Sequence, residues 1–245
     1  VGEKHMRKLW MWLIFVGVVG FLGVSTVRAD SVSEWVTGSG ATAGGQPVSA
    51  SAVITIGAGG NVTVTLTNNF SNPTSRSQAV SGFIIIFSDG STSGTITSSS
   101  SNLININSDG TITNLGSGST GWKTETSSGG LSICTICPNT GNAFAPPSHL
   151  LIGPPGSGGT YSAANASITG TNPGSPDPWL QTAATFNLNI PGLSPGATVV
   201  GVIFLFGTDS EQVPGVFIPE PGTLALVGSG LLAIGRQWRR RRKAA

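Results

Sequence analysis

The sequence predicts an all-β body, an antiparallel β-sandwich of the jelly-roll kind, set between two apolar ends. Three observations predict it. Short runs in which apolar and polar residues alternate recur through the middle of the chain. Gly, Pro and Asp-Gly signals punctuate those runs at turn-like intervals. Long amphipathic helical stretches are absent from the pattern, which leaves sheet-on-sheet packing as the way to bury the apolar faces.

The elements follow in order. Residues 51–56 and 61–67 alternate and flank Gly57-Ala58-Gly59-Gly60, which reads as a hairpin with a four-residue loop. Residues 83–87 (FIIIF) are apolar on both faces, as a central strand requires. Asp89-Gly90 and Asp109-Gly110 are turn dipeptides. Strands are expected between and after them at 94–97, 102–107 and 111–115. Residues 121–126 read as another, with Trp122 as a core anchor, and 149–152, 184–190 and 198–206 complete the set. Residues 138–161 and 170–178, rich in Pro and Gly, read as long surface loops. Residues 30–50 are expected to be a flexible lead-in, 51–206 the sandwich, and 207–217 a linker.

Candidate chemistry in this body is sparse. Residues 153–160 nearly spell a phosphate-binding loop, but Gly159 stands where the lysine belongs, so a plain Gly/Pro loop is the expectation. Cys134 and Cys137 are the only cysteines. A closed metal site needs about four ligands, and His149 is the one histidine in the body, so a local disulfide is favoured over a metal site. Residues three apart on a regular strand point to opposite faces, so that bridge demands a turn. His149 is the only candidate general base, and no Gly-x-Ser-x-Gly elbow accompanies it. Asp89, Asp109, Asp177 and Asp209 are the candidates for a pair of hydrolytic carboxylates, although two of them precede glycine in turns. Trp179, after Asp177-Pro178, is the candidate for stacking on a sugar ring. No catalytic residue, metal or cofactor is assigned.

The two ends carry a clearer message. Arg7 and Lys8 precede an apolar run at 9–27, and Val27-Arg28-Ala29 offers small residues before a cut. This is the layout of a secretory signal peptide, cleaved between Ala29 and Asp30, with residues 1–5 as upstream extension and Val1 or Met6 as the start. At the other end come Pro219-Glu220-Pro221 and then an uncharged run from Gly222 to Gly235. As a helix that run is about 21 Å long, shorter than a hydrocarbon core of about 30 Å, so it needs flanking residues or local thinning to span. Arg236, Arg239, Arg240, Arg241, Arg242 and Lys243 follow it and hold that end cytoplasmic. Pro221 suits the first helical position, and residues before a proline are extended. The triplet is thus expected to be exposed at the outer membrane face.

Charge separates in the same way. The chain has 12 Lys and Arg against 10 Asp and Glu, a formal +2. Between residues 30 and 215, however, Arg76 and Lys123 stand against eight carboxylates, leaving −6. A body without clustered cations is a poor nucleic-acid partner.

The order of triplet, apolar run and arginines over 218–245 resembles the C-terminal sorting signal of PEP-CTERM proteins, which gram-negative bacteria export for processing by exosortases. The resemblance implies a cut near Pro219-Glu220-Pro221 that releases or transfers the body. It implies an exosortase and the secretion machinery as partners, an inner-membrane-anchored precursor, and a final place at the cell surface or in an exopolysaccharide matrix. The expectation is therefore an exported surface or matrix protein without catalytic activity. A carbohydrate-binding module using Trp179, and less strongly a polysaccharide hydrolase, are the alternatives.

Overall fold

The computed structural model describes residues 30–127, 129–142, 148–162, 167–169 and 177–219. The run at 1–29 expected to be a signal peptide, Glu220, Pro221, the apolar run from Gly222 to Gly235 and the basic tail lie outside the described residues. Among the described residues, no helix is long and apolar enough to cross a membrane.

Sixteen strands are described: β1 (Ser31–Thr37), β2 (Thr42–Ala43), β3 (Gln46–Pro47), β4 (Ala50–Ile56), β5 (Asn61–Asn68), β6 (Val80–Phe87), β7 (Thr95–Ile106), β8 (Ile112–Gly118), β9 (Lys123–Ser127), β10 (Gly130–Cys134), β11 (Ile136–Cys137), β12 (Gly141–Asn142), β13 (Leu151–Ile152), β14 (Trp179–Asn189), β15 (Val199–Phe206) and β16 (Glu211–Ile218). The chain is all-β, as the sequence predicts, but the strands do not split into the two separate sheets of a sandwich. Twelve of them form one sheet ordered β8-β7-β14-β5-β4-β1-β16-β15-β6-β10-β9, with β13 off that path. β13 joins β14 in a parallel pair, Leu151 opposite Leu180, and meets β6 where Leu151 faces Val80. Eight strands thereby close a barrel-like ring, β1-β4-β5-β14-β13-β6-β15-β16, from which β7-β8 and β10-β9 branch. Closure removes two edges that a sandwich would have left to be protected.

Backbone contacts fix the short closing strand. Asn68 at the end of β5 is fully buried, and its Nδ2 donates to Leu151 O and Gln78 O, each at 2.9 Å. Gly153, just past β13, lies against the Phe70 carbonyl so closely that a Cβ there would sit 1.9 Å from the oxygen. Only glycine fits such an approach.

Alternation along the ring strands supplies the core. Ile54, Val64, Phe83, Phe186 and Phe204 are fully buried, while exposed residues such as Val53, Thr63 and Thr65 take the outer face. Trp122 packs at 5.1 Å from Phe186, whose ring lies 5.5 Å from Phe83, so the aromatic centre bridges β6 and β14. A second apolar cluster gathers Ile104, Ile136, Leu150, Ile152, Tyr161 and Trp179 beside β13.

Several expected elements are found in place. The hairpin of 51–56 and 61–67 is β4-β5, and 83–87 falls within β6. The expected strands at 94–97 and 102–107 are one long strand, β7. The ends of the body differ from expectation. The lead-in expected to be flexible, 30–50, opens with β1, which pairs with both β4 and β16. The linker expected at 207–217 is largely β16, paired with β1 and β15. Partner strands outweigh the weak local signal in both stretches. Trp35 brings a buried indole to β1, and Val213 a buried side chain to β16.

Candidate processing site at the barrel pole

β1 begins where β16 ends. The two run antiparallel with Glu34 opposite Ile218, Trp35 opposite Phe217 and Val36 opposite Val216. Phe217 lies over Trp35 with ring centroids 5.4 Å apart, which anchors the last turn of pleat to the core. Pro219 is exposed and belongs to no strand. Continued, the register would set Pro219 opposite Ser33 and Pro221 opposite Ser31. Proline cannot donate to a ladder, and Ser31 to Ser33 pair with β4 but not with β16. The chain thus leaves the sheet at the first residue of the triplet.

The loops around this exit define one pole of the barrel. A cleft of about 160 Å³ lies there, lined in part by Asp30, Ser31, Gly59, Leu193 and Pro195. Asp30, expected as the new N-terminus after signal cleavage, thus borders the same pole that emits the triplet. Asp89 ties two pole loops together. Its Oδ1 accepts from Ser91 N at 3.0 Å and its Oδ2 from Ser194 N at 2.7 Å. These backbone bonds, Ser194 first, lower its carboxyl to about 2 against slight burial. Ser33 Oγ and Trp35 Nε1 are buried on β1 without a hydrogen-bond partner among the described residues.

The other candidates resolve into architecture. Trp179 is corrected outright: it is fully buried, and its Nε1 donates to Ile168 O at 3.2 Å, so no face is open to a sugar. Cys134 and Cys137 form a disulfide, with Thr135 making the needed break between β10 and β11. Glu125 lies close to both sulfurs. Bridged sulfurs are not thiolate ligands, and Glu125 is already occupied, accepting from Asn139 N, Thr140 N and Thr140 Oγ1. His149 is half-buried in the left-handed region at φ 58°, and burial lowers its pKa. Its carbonyl accepts from Trp122 Nε1 at 2.8 Å, a positioning role for the central indole.

The acids do not converge. The Asp109 carboxyl is lowered, chiefly by the Thr111 hydroxyl and then its N–H, within a single turn. Asp177 Oδ1 accepts from Ile106 N at 3.3 Å, and Asp209 is exposed in the turn between β15 and β16. The phosphate-loop look-alike closes on itself: Gly156 N donates to Thr160 O and Gly159 N to Gly156 O, so those amides are not turned toward a ligand. What sequence reasoning missed is the neighbourhood of Asp30 and Pro219. The only local signal for it was alternation around Trp35 and around Val213, too short to stand alone.

Residues 217–242 match the PEP-CTERM protein-sorting motif. No curated protein and no solved structure matches the chain. The match opens inside β16 at Phe217, so sorting motif and folded body share two residues. It marks an exported protein whose membrane-anchored precursor is processed by an exosortase.

Proposed function

We propose that the chain is a non-catalytic envelope protein whose barrel-like body is cut from its anchor near Pro219-Glu220-Pro221 and deployed at the cell surface or in an exopolysaccharide matrix. The observation that carries this reading is the match over 217–242, emerging from the last strand of a folded body. Its non-catalytic side is supported by the dispersal of Asp89, Asp109, Asp177 and Asp209 and by the structural bonds of His149. The matrix assignment rests on the sorting resemblance, with an uncharged, hydroxyl-rich outer face as its physical complement. In that face Thr63 donates to Asn187 Oδ1 at 3.0 Å, and Asn187 Nδ2 to Ser98 Oγ at 2.9 Å. Mass spectrometry of the secreted and surface fractions tests the reading. A body ending near residue 219, with the full-length tail restored when Glu220 is replaced or the exosortase deleted, is the expected outcome. An intact tail in wild-type cells overturns it.

A further inference from the structure

We infer that the pole formed by the start of β1, the end of β16 and the start of β15 is a membrane-contact surface, resting on the lipid around the chain's own anchor until processing. This rests on the anchored-precursor reading above. The first observation is where exposed apolar side chains lie. Val32, Val53, Leu115, Val200, Val216, Phe217 and Ile218 are the exposed large hydrophobics among the described residues. Scattered singly, such residues need no explanation. Here, apart from Leu115 on β8, they lie on four strands that are successive neighbours in the sheet, β4-β1-β16-β15. Val32 is the second residue of β1, Val200 the second of β15, and Val216, Phe217 and Ile218 are the last three of β16. Val53 joins them through the cross-strand row Val53, Glu34, Ile218. A grouping of this kind marks a contact surface.

The second observation is the length of chain beyond the strand. Ile218 is the last residue of β16, and the uncharged run opens at Gly222. Four peptide steps reach at most about 14 Å. An interfacial layer takes roughly 5–8 Å of that distance on each side of the hydrocarbon core. The pole is therefore held against the headgroups whether or not it has affinity of its own. The apolar run at 9–27 leads into the same pole through Asp30 until it is cut. Two tethers from one end give the body a single orientation.

Charge sets the kind of lipid surface. Asp30, Glu34 and Asp89 belong to this pole, while the described cations, Arg76 and Lys123, sit on other elements. The surface suits neutral, zwitterionic headgroups and would be repelled by anionic ones. Contact then depends on the tether, and a cut at 219–221 frees the body.

Site-directed spin labelling of the full chain in phosphatidylcholine nanodiscs tests this. The native cysteines are bridged, so an introduced thiol takes the label. Labels go on Val200→Cys and Phe217→Cys at the pole, Asp209→Cys at the opposite end and Ala233→Cys in the apolar run. Val200 is on a different strand from the Trp35-Phe217 contact, so it reports even where Phe217→Cys loosens that contact. The expected result is loss of collision with a water-soluble nickel complex at 200 and 217 relative to 209, with 233 protected most. Protection at 233 with 200 as open to nickel as 209 overturns the contact surface and leaves the anchor intact. Exposure at 233 as well overturns the anchor and this inference together.

Discussion

At the scale of single residues, buried side chains do structural work that their position in sequence disguised. Trp179 follows a proline in a polar stretch, yet its indole fills the cluster beside β13. Trp179→Ala should destabilise the body by about 3–5 kcal/mol, as truncation of a buried aromatic does. Thermal or denaturant unfolding of the body reads the effect. His149 gives a second prediction. Burial lowers its folded pKa from the ordinary 6.5, so the unfolded chain binds a proton more readily than the native one. Its contribution is fully present above pH 6.5 and is lost as the pH falls from there toward the lowered folded value. The melting temperature should drop across that window. His149→Asn, which tolerates the positive φ, should flatten that part of the profile.

At the scale of elements, the disulfide is a local device. A bridge between residues three apart encloses a loop so short that the chain-entropy model assigns it about 2 kcal/mol. Replacing Cys134 and Cys137 together by Ala should lower stability by about that much, with the strands still formed. Circular dichroism and denaturant titration would show both. Legibility also divides at this scale. Strands with strong alternation or a run of apolar residues, such as β4, β5, β6 and β15, were readable because their burial is written in local pattern. β10 was not: all five residues are buried, and Gly130 is required because a Cβ there would meet the Ile85 carbonyl at 2.5 Å. A short apolar run beginning with glycine carries no periodicity to read. β1 and β16 were hidden for a different reason, since each depends on a partner about 180 residues away in the chain. β13 falls within the strand expected at 149–152, but its closing pairs with β14 and β6 leave no trace in local pattern. The candidate site divides the same way. The triplet was legible as composition, whereas its place one residue beyond a core strand was a property of the register.

At the scale of the whole molecule, charge partition is the property to measure. The full chain carries a formal +2, but residues 30–215 keep −6. The processed body should be retained by an anion exchanger at pH 7 and pass through a cation exchanger. Retention of the released form on the cation exchanger would mean that the basic tail had not been removed.

The pairing of the first long strand with the last has a consequence for biogenesis. The ring lacks its final stave until residues 211–218 have crossed the bilayer. Folding therefore finishes late, against the topological grain that favours neighbours in sequence. By then, only a few peptide units separate the incoming stave from the uncharged run that opens at Gly222. Completion of the ring thus falls at the very end of export, and a protease arriving early would meet an open, unfinished cylinder.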